Sequence, residues 1–267
     1  MSRGNKFDQQ TSRRLEAIYL TPDVVTQRHH VHRLLSLATG ECVLDIGSGP
    51  GLLAYEMAAI VGPSGRVCGI DTSEDMLAMS RERCAEQPCV EFRQADATKL
   101  PFADESFDAA ASTQVYEYVD DVPAALGELY RVLRPGGRAL VLDSDWDSIA
   151  IYTQNEERMA RVLSAWDEHF VHPSLPRTLG PDLRRAGFTI RGRDVVPLFN
   201  PEYRDDTYAK HTLEWIAGFV VGRQGISEED AAAWHAEFAE LAEQGRFFFN
   251  LNRYVFVADR PGGHSGA

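Results

Sequence analysis

Between Val43 and Met57 the chain passes from a strand pattern through a glycine-rich turn into a helix pattern, and this junction constrains the fold more than any other stretch. Val43-Leu44-Asp45-Ile46 has the apolar, β-branched character of a buried strand, and Leu52-Leu53-Ala54-Tyr55-Glu56-Met57 reads as the helix that follows it. Between them stands Gly47-Ser48-Gly49-Pro50-Gly51. Glycine serves where the backbone takes positive φ or approaches another group closely, and the next helix opens with N–H groups that have no intrahelical partner. A polar or anionic ligand fits such a turn. With Asp45 ahead of it the stretch reads Asp-x-Gly-x-Gly-x-Gly, which differs from the Gly-x-Gly-x-x-Gly spacing of dinucleotide turns.

The pattern then repeats. Arg66-Val67-Cys68-Gly69-Ile70-Asp71 is a second strand, followed by a helix over residues 73–85 and a third strand over 89–94. Asp71 stands 20 residues beyond Gly51 (71 − 51), where a doubly wound fold places a carboxylate on ribose hydroxyls; capping the following helix is its other possible role. The third strand runs into Gln94-Ala95-Asp96-Ala97, where Asp96 would otherwise be a turn residue. A fourth strand is expected over 107–112, with a loop over 113–119 at its carboxyl end, and a fifth over 139–143. A helix at 179–186 enters a sixth strand reaching Pro197, and a helical pair at 205–221 and 227–243 precedes a seventh, alternating strand over 247–258. Ahead of the glycine turn, residues 7–37 read as two helices, with Thr21 as capping hydroxyl and Pro22 at the first helical position of the second. Its His29, His30 and His32 do not converge as metal ligands would and are expected on a solvated face.

These motifs carry a resemblance. Asp-x-Gly-x-Gly-x-Gly, the segment Leu100-Pro101-Phe102-Ala103-Asp104-Glu105-Ser106-Phe107-Asp108, and Arg131-Val132-Leu133-Arg134-Pro135-Gly136-Gly137 together resemble the class I S-adenosylmethionine (SAM) dependent methyltransferases. The likeness is to the small-molecule group that includes the ubiquinone/menaquinone C-methyltransferases. It is strong over residues 41–143 and loose over 179–198 and 246–258. It implies an α/β fold, a Rossmann-like seven-stranded and mostly parallel sheet whose last strand is antiparallel, with helical N-terminal and inserted cap elements. The corresponding division is N-terminal helices over 1–40, a SAM-binding core over 41–144, completion of the sheet over 145–260 with a cap at about 202–245, and a disordered tail over 261–267.

The resemblance also implies roles. Gly47, Ser48 and Gly49 give close backbone approach to the methionyl part of SAM, and Asp45 reaches its amino group through water. Asp71, with Thr72 beside it, holds the ribose; Met76 covers the adenine face, Asp96 and Ala97 meet the adenine edge, and Ser112 presents a carbonyl toward the amino group. S-adenosylhomocysteine is the product. The acceptor then lies above the strand ends, where Tyr19, Tyr116, Trp146, Phe170 and Trp215 suit a flat or apolar molecule of the kind made in bacterial secondary metabolism. Filling the cap's own core is the other role open to such aromatics. His172 and Asp145 are the candidate bases, although alignment alone suffices for many methyl transfers.

Composition narrows the partners. The formal net charge of −13 disfavours nucleic acid or an anionic membrane, and the N-terminus lacks the apolar run of a signal peptide. A cytoplasmic monomer or homodimer acting on a small molecule is expected. Cys42 and Cys68 sit in strand patterns as small core residues; Cys84 and Cys89 have no second pair to hold a metal, and no cysteine follows to complete the set an arsenite methyltransferase needs. Two rivals stand beside methyl transfer: a SAM-binding cyclase, which would share the cofactor site, and a dehydrogenase, which the glycine spacing disfavours.

Overall fold

Strand β1 (Cys42–Ile46) occupies the middle of the sheet because it is apolar on both faces, and both of its edges are paired, with β2 (Arg66–Asp71) and β4 (Phe107–Thr113), each in parallel. The computed structural model describes residues 9–262. Beyond β2 lies β3 (Val90–Gln94), and beyond β4 come β5 (Leu133–Ile151), β7 (Phe249–Asp259) and β6 (Thr189–Asn200), giving the order β3-β2-β1-β4-β5-β7-β6. β7 is antiparallel to both neighbours, so the other six strands run in one direction. This is the Rossmann-like arrangement that the resemblance implies, and the reversal of strand order at β1 and β4 opens a crevice at the strand carboxyl ends.

Helices cover both faces. α2 (Pro22–Leu35) and α3 (Leu52–Val61) pack on one face through Val31, Leu35, Met57 and Val61, against Val43, Leu140 and Val255 of the sheet. α5 (Val122–Val132) and α7 (Pro176–Arg185) cover the other through Leu126, Leu129, Leu179 and Leu183, and α4 (Glu74–Arg83) flanks β2 and β3. A third apolar cluster belongs to the cap. It joins α1 (Gln9–Tyr19), α6 (Glu156–Asp167), α8 (Tyr208–Val220) and α9 (Glu228–Glu243) around Trp166, Trp234 and Phe238.

Several local expectations change. β5 spans 19 residues rather than five, because β7 continues to pair with it as far as Ile151, so the boundary drawn at 144/145 falls inside one strand. Pro22 opens α2, but the Thr21 hydroxyl does not cap it; it donates back to the Ile18 carbonyl at 2.8 Å and fixes the corner between α1 and α2. The histidines of α2 are not one solvated face. His30 meets Asp194 of β6 at 3.0 Å and His32 meets Glu56 of α3 at 2.9 Å, so they dock the helix to two different elements. At the other end of the chain, Arg260 donates to the carbonyls of Tyr130, Arg131 and Leu133 and pairs with Glu105. Residues 263–267 of the expected tail lie outside the described residues, as do residues 1–8 of the N-terminal helices.

The two most family-like segments after the glycine turn sit at the amino-terminal edge of the sheet. Arg131 donates to both Glu128 oxygens, to Asp104 and to the carbonyls of Phe102 and Leu100. Arg134 pairs with Asp108, whose other oxygen accepts from Cys42 N–H at 2.8 Å. These motifs pin the start of β4 to the end of α5 and are scaffold, at the opposite edge from the glycine turn.

Candidate active site

The turn after β1 takes its shape from glycines in the left-handed region. Gly47 has φ +67°, and a Cβ built there would lie 2.3 Å from Cγ2 of Val115, so the β4 loop can close on the turn only over a hydrogen. Gly51 has φ +78° and meets the Ser80 backbone of α4 at 2.9 Å in the same construction. Three of the turn's N–H groups are already committed, that of Gly51 to the Ser48 carbonyl at 2.9 Å within the turn itself. Ser48 N–H donates to the Ile70 carbonyl at 2.8 Å, and Gly49 N–H donates to Asp71 Oδ2 at 2.9 Å.

Asp71 is therefore the hinge pin between two strand ends. Its second oxygen accepts from Ser73 N–H at 2.9 Å, while Ser73 caps α4 by accepting from Met76 N–H, so the capping and turn-binding roles coexist around one carboxylate. Burial holds the Asp71 carboxyl above its ordinary range, against the N–H groups of Ser73, Gly49 and Thr72. Asp45, 1% exposed, is pushed up to about 8 by burial first and by the Asp71 charge second. Asp96 at the end of β3 is exposed and forms a local turn, one oxygen accepting from both Thr98 N–H and Thr98 Oγ1 at 2.8 Å. Ala97 and Met76 are buried beside it in sequence and on α4, Thr72 is exposed, and Ser112 is buried on β4 opposite Ile46. Three buried oxygens at this edge, Asp45 Oδ2, Ser48 Oγ and Ser112 Oγ, make no hydrogen bond of ordinary geometry, the last of them facing the Tyr116 hydroxyl.

Above the strand ends the proposed acceptor-lining residues divide. Tyr19 lies over the turn, its ring 3.8 Å from a Cβ built on Gly49, and its hydroxyl is held up in pKa by burial, with the Arg253 charge opposing. Trp146 stacks on Phe170 at 4.7 Å, and Trp166, absent from the sequence expectation, packs edge-on to both. Trp215 stands further out, its ring 6.2 Å from His169. Phe170 and Trp146 belong to the cap's buried cluster with Trp215 against it, whereas Tyr116 is wholly buried in the sheet-side core. His169 lies flat on Trp166 at 4.5 Å, and burial lowers its imidazole to about 4.

The candidate bases are differently placed. Asp145 accepts from Arg177 at 3.0 Å, and Arg177 also meets Asp147 at 3.0 Å, so Asp145 is one arm of an ion-paired fork. His172 donates its backbone N–H to the Glu117 carbonyl, and its ring Nε2 has no partner. Between them the fold places Asp143, a candidate from the sequence at the end of the parallel part of β5, and two groups that sequence reading passed over: Glu117 on the 3-10 turn Tyr116–Tyr118 and Arg253 on β7. All three are 0% exposed. Asp143 Oδ1 accepts from Val115 N–H at 3.0 Å and so holds the β4 loop; burial keeps both carboxyls above their ordinary range, and the Glu117 charge adds to the effect at Asp143. Only the adjacency of Glu117 to Tyr116 and Tyr118 in the β4 loop could have flagged it; nothing local marks Arg253.

Residues 44–141 match the family model described as a methyltransferase domain. The match runs from β1 into β5. A 37.1 kDa protein encoded in a Streptomyces fradiae transposon, itself described as uncharacterized, is 35% identical over 84% of this chain and 64% of its own length. The ubiquinone/menaquinone biosynthesis C-methyltransferase UbiE of a Marinomonas species is 39% identical over 43% of this chain and 47% of its own. This chain thus spans less than two thirds of either relative. Among solved structures, phosphoethanolamine N-methyltransferase 2 of Haemonchus contortus in complex with S-adenosyl-L-methionine superposes with a TM-score of 0.63 at 20% identity, over 97% of this chain and 58% of that one. The matched methyltransferase domain ends at β5, so the cap, β6 and β7 lie outside it.

Proposed function

We propose that this protein is a SAM-dependent methyltransferase acting on a small organic molecule, with S-adenosylhomocysteine as product. The observation that carries this reading is the closure of the glycine turn onto Asp71, with Gly49 N–H on the carboxylate that ends the adjacent strand. The residues present fit the cofactor. Ser48, Asp45 and Ser112 leave three buried polar atoms at the point where an amino-acid head group would need partners. On this reading Gly47, Ser48 and Gly49 take the methionyl part, Asp71 and Thr72 the ribose, Met76, Asp96 and Ala97 the adenine, and Asp45 and Ser112 the amino group.

Bound there, a sulfonium supplies an activated methyl group and an excellent leaving group. The protein's own contribution is alignment and exclusion of water. Tyr19 covers the turn, the Trp146–Phe170 stack gives an acceptor an apolar wall, and Val115 closes the β4 loop onto Gly47. Such walls favour an aromatic or otherwise apolar acceptor, and they crowd a positively charged methyl donor with ring faces.

Calorimetry with SAM tests the cofactor assignment. Asp71→Ala is expected to weaken binding by about tenfold or more, close to 1.4 kcal/mol, and unchanged affinity would remove the reading. Methyl-labelled SAM incubated with a metabolite extract tests the reaction; a product that forms only with cofactor yet carries no label would identify a cyclase instead.

A further inference from the structure

Arg253 and Glu117 form a buried pair of opposite charge that does not close on itself. Arg253 donates through Nε to Ser144 Oγ at 3.3 Å and through Nη1 to Gln27 Oε1 at 2.6 Å, and its guanidinium lies over the Tyr208 ring at 4.7 Å. Its Nη2 has no partner, and no carboxylate among the described residues comes within the 4.0 Å of an ion pair. Glu117 accepts from Ser144 N–H at 3.0 Å through Oε2; its Oε1 makes no hydrogen bond of ordinary geometry, and the polar ends of Trp146 and Tyr118 face the carboxylate. Both side chains thus hold to one residue, Ser144 of β5, while their free donor and free acceptor remain apart. A buried guanidinium and a buried carboxylate attract strongly, so a pair held open by Gln27, Ser144 and Tyr208 is spaced for a third group.

The surroundings place that third group at the methyl-acceptor position. Glu117 belongs to the β4 loop whose Val115 abuts Gly47, and its backbone carbonyl accepts from Val171 and His172 N–H, beside Phe170. The charged and titratable groups facing the pair are Asp143 of β5, Tyr118 of the same turn, Tyr19 of α1 and Tyr208 of α8. Tyr19 is also the residue that covers the glycine turn, so one ring separates the two halves of the site.

We propose that Glu117 Oε1 and Arg253 Nη2 together receive an acceptor molecule carrying an ionisable hydroxyl, a phenol or enol, with Glu117 taking its proton and Arg253 facing the oxygen that becomes negative. A neutral hydroxyl satisfies both free groups at once: its hydrogen goes to the carboxylate and its oxygen lone pair to the guanidinium. During transfer the O–H proton moves to Glu117 Oε1, and the oxygen, or a carbon conjugated with it, forms the new bond to the methyl carbon. The electron pair of the broken carbon–sulfur bond stays on sulfur, so a carboxylate and a sulfonium become a carboxylic acid and a thioether. The proposal rests on the methyl-transfer reading for its chemistry, although not for its binding geometry.

The test titrates the protein with 4-nitrophenol and with nitrobenzene, which lacks the hydroxyl, following tryptophan fluorescence, and measures S-adenosylhomocysteine affinity by calorimetry on the same samples. The wild type is expected to prefer 4-nitrophenol by about tenfold. Glu117→Gln and Arg253→Met should each reduce that preference to within about twofold while S-adenosylhomocysteine affinity stays within about twofold. Arg253→Lys, which keeps the charge and loses the fork, is expected to fall between and serves if Arg253→Met does not fold. A wild type without the preference overturns the proposal, as does a preference that survives both substitutions. Loss of cofactor affinity in step with the preference would show a merely structural pair and also overturns it. A wild type that prefers 4-nitrophenol yet does not bind S-adenosylhomocysteine keeps the subsite and removes the methyl-transfer reading.

Discussion

Asp45→Asn isolates the electrostatic consequence of ending a buried strand in a carboxylate. Asp45 is 1% exposed with one oxygen unpartnered, and its carboxyl is raised from 3.8 to about 8 by burial and by the nearby Asp71. Between those values the folded chain keeps a proton that the unfolded chain has released. The stability this site contributes is therefore fully present below about pH 4 and declines as pH rises, by at most about 1.4 kcal/mol per pH unit. From about pH 5 to about pH 8 the decline reaches at most about 4 kcal/mol, several degrees in melting temperature for a chain of this size. Asparagine keeps the volume and cannot ionise, so the variant should lack this slope. Urea unfolding of both proteins at about pH 5, 6.5 and 8 measures it, with the variant gaining on the wild type as pH rises. Glu117, Asp143 and His169 also shift on folding, but they act in both proteins and cancel in the difference. A difference that stays constant across pH to within about 0.5 kcal/mol would refute the claim that Asp45 is held protonated.

Two further perturbations test the scaffold. Gly47→Ala adds a Cβ at φ +67° and 2.3 Å from Val115, whereas Gly136→Ala adds one at φ +83° in open space. The second should cost about 1–2 kcal/mol of backbone strain alone and the first at least about 1 kcal/mol more, so equal losses in urea unfolding would show that the β4 loop does not press on the turn. Arg131→Met removes the fork that ties Leu100, Phe102 and Asp104 to α5 and should lower stability by about 2 kcal/mol with SAM affinity unchanged; a selective loss of affinity would contradict its placement at the far edge of the sheet.

What the sequence by itself determined is the core from β1 to β5 and the glycine-turn wall of the candidate site. Strand, glycine turn and helix are local patterns: positive φ at Gly47, Gly49 and Gly51 is a property of single residues, and Asp71 follows at a distance in sequence that one helix fixes. The fold class follows from the repetition of that unit. The tertiary structure alone brought together the side proposed for the acceptor. Its residues come from α1, α2, the β4 loop, β5, α8 and β7, and Gln27 and Arg253 meet across 226 positions of sequence. No local periodicity distinguishes Arg253 from any polar residue alternating along β7, nor the Trp146 that stacks on Phe170 from one that fills a core. The same limit explains the histidines of α2 and the Thr21 hydroxyl, whose partners are set by neighbouring elements rather than by their own helix. Asp145, read as a candidate base, meets Arg177 of α7 through one oxygen and keeps its other oxygen without a partner, whereas Glu117, which no motif marks, has no cation within ion-pair distance among the described residues and accepts from a backbone N–H. Which acid is paired depends on the cations that packing brings to it, and that information is not carried in the residues on either side.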